Sequence, residues 1–381
     1  MFKFNQKLIF NKFFIDSTYF FFTLTISISL IVWVIQAVNF LDFVVEDGHG
    51  LEVYFKYTLL NLPKIISRLI PFVFFISLFY IINQYEDSNE LKIFWLTGIS
   101  KIQFINFIIC YTFIIFIILL SVSIYLVPAS QDKARSYVKS SKIEFFPSLI
   151  NEKRFVDTVD KLTIFIEKKN YDNSYENIYL KDTSQNNSKI IYAKKGKLIN
   201  NINERYIALY DGKLITINKN NITTFNFETT TLNLNNYFTK SITLNKIQER
   251  SIRSLLFCYY EFHLLKKKEY FDPTLCNDPA IKEIEAEIFK RTIKPLYIFL
   301  LALNVCFLLL YSKENFLIYK KRIIIFFVGF TIIILSEISS SLLTKNILST
   351  VIMSILPIVL SIISYLILFL KSKKNNYVIR I

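Results

Sequence analysis

Apolar residues follow two rhythms along this chain. In the first they run on without interruption. A helix needs about 20 mostly apolar residues to cross a bilayer core of ~30 Å, and six stretches qualify: residues 19–41, 62–82 with Pro63 and Pro71 inside, 102–127, 295–311, 323–343 and 347–370. The first is too long for a cleavable signal and no A-x-A site follows it. In the second rhythm, from about residue 153 to 234, apolar and polar residues alternate in short runs: KLTIFIE, NIYLKD, KIIYAK, RYIALYDGKLITINK and ITTFNFETTT. Alternation rich in β-branched and aromatic residues predicts half-buried strands. Asp211-Gly212, between two such runs, predicts a hairpin turn. Lys195-Gly196 and the polar residues 182–188 predict further turns. Residues 246–268 read as helical, and a polar stretch with Pro273 and Pro279 leads to the fourth apolar run.

The expected fold is therefore an α+β membrane protein, with an all-β domain of sandwich or jelly-roll type inserted between two sets of three spans. Residues 1–127 carry the first three transmembrane helices, 128–245 the β domain, 246–291 a connector and 292–381 the last three helices. Lysine and arginine concentrate in the N-terminal tail (Lys3, Lys7, Lys12), after the fourth span (Lys313, Lys320, Lys321, Arg322) and at the C-terminus (Lys371, Lys373, Lys374, Arg380). The loop after the first span holds Lys56 against Asp42, Glu46, Asp47 and Glu52. By the positive-inside bias both termini are cytoplasmic and the β domain lies outside.

Composition narrows the class. The 381 residues carry a formal charge of +15, and a pI near 9.4 can signal nucleic acid. A mean hydropathy of +0.39 argues against a soluble polyanion binder, so no nucleic-acid partner is expected. With 53% hydrophobic residues the chain is not disordered. The two histidines, His49 and His263, are far apart, and no His/Cys spacing suits a metal. There is no P-loop and no G-x-S-x-G elbow, so neither ATP hydrolysis nor acyl-transfer catalysis is expected of this chain, and no cofactor. Cys110 and Cys306 fall in spans and read as packing residues. Cys258 and Cys276 both fall in the external connector and are candidates for a disulfide.

Two features carry candidate chemistry. The loop NQYEDSNELKIFWLTGISKIQF between the second and third spans predicts a short helix at about 88–98. Asp87 and Glu90 are spaced as a capping box, Leu91, Phe94 and Trp95 share adjoining positions, and Gly98 suits a helix end. Ser100 and Gln103 form a second capping box. Such a helix either lies in the headgroups or docks a cytoplasmic partner. The other feature is cationic. Lys64 and Arg68 share one face at the outer end of the second span, while Lys290, Arg291 and Lys294 crowd the outer end of the fourth. Cations there either snorkel or face a cavity or an anionic partner. Glu337, inside the fifth span, is placed to pair with one of them or to sit at a solvated helix end.

Four segments then resemble the lipopolysaccharide-export permease family LptF/LptG: QAVNFLDFVVEDG (36–48), LPKIISRLIPFVFFISLFY in the second span, SNELKIFWLTGIS in the short loop helix, and EAEIFKRTIKPL (285–296) opening the fourth span. The β-domain text IEKKN…ENIYLKD is more similar to LptF than to LptG. The resemblance implies a periplasmic β-jelly roll between two triplets of spans in the bacterial inner membrane. It implies a heterodimer with the sister permease on an LptB-type ATPase dimer, with LptC attached and LptA continuing the bridge. Lipopolysaccharide would be the cargo. Glu90, Leu91, Phe94, Trp95 and Gly98 would couple to the ATPase, and Lys64, Arg68, Arg291 and Lys294 would meet lipid A phosphates. The family often carries a cation near the outer end of its first span, where this chain has Asn39 and Asp42. An envelope assembly protein that anchors a partner-binding β domain, without transport, is the alternative class.

Overall fold

In a bilayer the backbone must satisfy its own hydrogen bonds, and a long apolar run does so as a helix. The computed structural model describes residues 4–41, 51–140, 152–159, 162–170, 174–183, 188–200, 205–217, 222–233, 246–262, 278–311, 317–342 and 347–378. Among these, six helical stretches are long and apolar enough to cross a membrane: Lys7–Asn39, Leu51–Asp87, Lys101–Val138, Ile281–Leu310, Ile318–Ser340 and Val351–Lys373. They coincide with the six apolar runs. His49, His263 and Cys276 lie outside the described residues.

The helices are α1 (Phe4–Asn39), α2 (Leu51–Leu60), α3 (Leu62–Asp87), α4 (Glu90–Leu96), α5 (Lys101–Ser121), α6 (Val127–Ser140), α7 (Ile252–Tyr260), α8 (Asp278–Thr292), α9 (Tyr297–Cys306), α10 (Ile318–Leu342) and α11 (Ile347–Val378). A π-helical turn, Val122–Leu126, joins α5 to α6. The chain divides into one unit of residues 1–33, 61–131 and 246–381 and another of 34–60 and 132–245.

The first unit is organised around α9. Its residues are apolar on every side, and a helix of that kind belongs in the middle of a bundle. Tyr297, Ile298, Leu300 to Cys306 are all buried, and α9 packs against α3, α5, α10 and α11. Asn304 in α9 donates to the Ile325 carbonyl of α10 at 2.9 Å, a buried bond between helices. Gly329 of α10 lies against the Phe75 ring of α3, where a Cβ would collide with it. Helices α1 and α11 keep apolar surface outward instead, with Ile26, Ile31, Ile362 and Leu366 each more than half exposed. That is apolar surface suited to lipid or to another span. Cys306 is free and buried, Cys110 is free on the exposed side of α5 rather than packed, and Cys258 is buried and disulfide-bonded.

The second unit holds one antiparallel sheet of six strands in the order of the sequence: β1 Phe155–Val159, β2 Leu162–Lys169, β3 Ser174–Asp182, β4 Ser188–Asn200, β5 Arg205–Ile217 and β6 Ile222–Asn233. The described strands form a meander, with none of the crossovers of a jelly roll. Asp211-Gly212 is not a hairpin turn, and Lys195-Gly196 is not a turn. Both lie inside strands, where Asp211 keeps φ +50° while its neighbours stay in register on both sides. Asn177 in β3 does the same at φ +49°. By register, Asn177 and Asp211 stand in one row across the sheet, with Lys194 of β4 between them. The inward face changes parity there: Ile191 and Ala193 on one side give way to Gly196 and Leu198, and buried Ile207 and Leu209 give way to half-buried Gly212 and Leu214. A crease thus crosses the sheet, and residues from both sides of it close one apolar core. Asp211 and Asn177 supply the positive φ at the crease, a conformation that Asp and Asn tolerate better than most residues.

Candidate functional site

The cationic residues of the second and fourth apolar runs converge. Lys64, Arg68, Lys290, Arg291 and Lys294 line one pocket of about 130 Å³, together with Ser67, Gln131, Gln248 and Glu287. Pro71, Leu119, Val127 and Pro295 give it an apolar floor. Among the described residues that line it, five are cations and one, Glu287, is a carboxylate. The π-helical turn after α5 contributes Ser123 to the wall. Turns of this kind recur at functional sites because they offset side chains from the helical repeat.

These cations are not equivalent. Arg291 is 3% exposed, and its guanidinium is engaged on three sides. Nε donates to Glu287 Oε1 at 2.9 Å, and the two terminal nitrogens donate to the carbonyls of Arg250 at 2.8 Å and Gln248 at 2.9 Å. The Glu287–Arg291 pair was legible as an i, i+4 spacing on α8; the two carbonyls were not. Lys64 donates to Gln248 Oε1 at 3.0 Å. Lys294 pairs with Glu337 of α10, so the sequence placement of Glu337 beside a cation holds. Arg68 and Lys290 are exposed at the rim. Arg68 and Lys290 are thus the exposed cations of the pocket, Lys64 and Lys294 are half-buried, and Arg291 is buried in its wall.

At the opposite end of the α3–α5 pair sits α4. It is shorter than expected, Glu90–Leu96, and Asp87 does not cap it. Asp87 is the last residue of α3 and pairs with both terminal nitrogens of Arg322 at 3.1 and 2.8 Å. Asn89, at φ +61°, occupies the N-cap with no side-chain cap bond. The expected end holds: Gly98 follows the helix at φ +86°, and Ser100 with Gln103 forms the capping box of α5. Glu90 pairs with Lys12 of α1 at 2.7 Å. Leu91 and Phe94 are 1% and 4% exposed and turn inward, the Phe94 ring tilted against those of Tyr85 and Phe104, with Trp95 edge-on to Phe104. They anchor the helix. The outward apolar residues are Ile93 and Leu96, the latter 87% exposed, and sequence spacing pointed to neither.

Comparison with known proteins agrees with this layout. The model of the family described as lipopolysaccharide export system permease LptF/LptG matches residues 13–371. The chain is also 27% identical over 296 residues to the uncharacterized protein RP871 of Rickettsia prowazekii (strain Madrid E), covering 76% of this chain and 79% of that one. A match from the first span to the last takes in both triplets of helices, the sheet between them, the cation pocket and α4. This multi-pass membrane protein belongs to the LptF/LptG family of lipopolysaccharide export system permeases.

Proposed function

We propose that this chain is the LptF-type half of a heterodimeric ABC exporter that extracts lipopolysaccharide from the inner membrane and passes it to a periplasmic bridge. The observation that carries the proposal is the pocket where Lys64, Arg68, Lys290 and Lys294 gather beside an apolar floor. Phosphates of lipid A would take charge-assisted hydrogen bonds from these ammonium and guanidinium groups, each shorter and stronger than a neutral bond. The acyl chains would stay against apolar helix faces. Energy comes from a partner ATPase of the LptB type, which α4 contacts through Ile93, Leu96 and the Glu90 carboxylate. A sister permease of the LptG type covers one outward apolar face, and LptC and LptA continue the β bridge.

The orientation is part of the proposal. Both termini and α4 face the cytoplasm, and the sheet and the 246–291 connector face the periplasm. Lysines and arginines at the cytoplasmic ends support it. So does the disulfide-bonded Cys258, because disulfides persist in oxidising compartments. A photocrosslinking amino acid at position 290, in cells expressing the full chain, tests the cargo. Lipopolysaccharide adducts are expected, reduced at least tenfold by Lys64→Glu with Lys294→Glu. Undiminished adducts in that double variant would remove the pocket from the pathway.

A further inference from the structure

One residue is gripped by two of the pocket's cations. Gln248 accepts from Arg291 through its backbone carbonyl at 2.9 Å and from Lys64 through its side-chain Oε1 at 3.0 Å. Arg291 also holds the Arg250 carbonyl at 2.8 Å. Gln248 lies in a single tight turn, Ile247–Glu249, and Arg250 follows it; the turn is closed by the Glu249 amide donating to the Lys246 carbonyl at 3.0 Å and by the Glu249 carboxylate accepting from the Lys246 amide at 3.0 Å. This turn belongs to the connector that follows the β domain in sequence.

The two grips differ in kind. Arg291 is buried and bonded to backbone, so it fixes where the turn sits. Lys64 bonds a neutral amide oxygen, a weak acceptor for an ammonium compared with an anionic oxygen. Gln248 Oε1 stands where a phosphate oxygen would stand, within hydrogen-bond distance of Lys64 Nζ.

We propose that the Lys246–Arg250 turn is a phosphate-responsive latch on the cation pocket. It is hinged on Arg291, a positioning residue, and closed by Gln248 on Lys64. A lipid phosphate displaces the Gln248 amide from Lys64, and the freed side chain loosens the turn that leads to the β domain. The pocket would thereby signal its occupancy to the connector. This rests on the reading of the pocket as a lipid phosphate site.

The test uses the full chain in nanodiscs, with bis-phosphorylated lipid A and the same lipid dephosphorylated as probes. Gln248→Leu removes the competing oxygen and should tighten lipid A binding at least threefold. Gln248→Glu puts a carboxylate on Lys64 and should weaken it at least threefold. Neither should change binding of the dephosphorylated lipid. Amide hydrogen exchange of residues 247–251 should rise at least threefold with lipid A, and should already be high in Arg291→Lys without it. Unchanged or weakened lipid A binding in Gln248→Leu, or exchange indifferent to the phosphates, overturns the latch. If Lys64→Gln leaves lipid A binding intact, it is the pocket reading that falls, and the latch with it.

Discussion

Single residues carry local costs that the surrounding fold must cover. Tyr175 of β3 is wholly buried in the sheet's core, and its hydroxyl finds no hydrogen-bond partner among the described residues. Burial pushes its pKa up to about 12, against ~10 for an unfolded tyrosine. The folded domain therefore holds the proton where the unfolded chain releases it. Stability from this site is intact below pH 10 and falls as pH rises toward 12, at up to ~1.4 kcal/mol per unit. Tyr175→Phe is expected to abolish that loss and to stabilise the sheet at neutral pH by about 1 kcal/mol, since a buried unpaired hydroxyl costs ~1–3 kcal/mol. Limited proteolysis of the purified full chain, at neutral pH and across about pH 9.5–11.5, reads both effects. Gly212 is the opposite case. A Cβ there would meet the Tyr192 carbonyl and the Phe227 ring, and backbone cannot yield cheaply. Gly212→Val is expected to destabilise the sheet by ~2–3 kcal/mol, seen as earlier cleavage in the same assay at neutral pH. The sequence announced a special conformation at Asp211-Gly212. It did not say that positive φ would serve a crease rather than a hairpin, because a two-residue signal has no record of which strands lie alongside.

At the scale of elements, α4 shows how a short helix is held by one face and offered by the other. Deleting buried methylenes leaves a cavity, so Leu91→Ala and Phe94→Ala should each cost ~2–5 kcal/mol and lower the thermal stability of the detergent-purified protein. Ile93→Asp with Leu96→Asp should leave that stability unchanged, since both side chains are exposed, yet abolish co-purification of the proposed partner ATPase. Retention of the ATPase by the double variant would move the coupling surface elsewhere. Glu90→Gln breaks only a partly exposed ion pair with Lys12, a loss of ~1 kcal/mol or less, so any larger effect on coupling belongs to contact with the partner. Helical spacing grouped Leu91, Phe94 and Trp95 correctly. It could not tell an inward face from an outward one in a segment where both faces are apolar, and packing against Tyr85 and Phe104 made that choice. The N-terminal cap moved for a related reason. Asp87 fits a cap by spacing, but α3 runs through it and Arg322, 235 positions away, claims its carboxylate.

For the whole molecule the strongest prediction is topological. A single cysteine at Leu96 in a chain without other cysteines should react with a membrane-impermeant maleimide only in inverted vesicles. One at Ile222, exposed on β6, should react only from the periplasmic side. Labelling of both from one side would reverse or break the three-plus-three arrangement. What the sequence by itself determined was everything that depends on runs and alternation: six spans, a sheet between the third and fourth, the charge bias of the loops, and the family. The spans and the sheet follow from the bilayer's demand for unbroken apolar length and a sheet's demand for period-two burial, the charge bias from where Lys and Arg fall, and the family from the resemblance of four short motifs; all are local properties of a string. Tertiary structure alone decided the rest. It brought Lys64 to Gln248 across 184 positions and Lys294 to Glu337 across 43. It held Arg291 to Glu287 and to the carbonyls of Gln248 and Arg250, and it aligned Asn177, Lys194 and Asp211 into one crease. Each of these depends on which elements become neighbours, and that is set by the packing of the whole core rather than by any segment read alone.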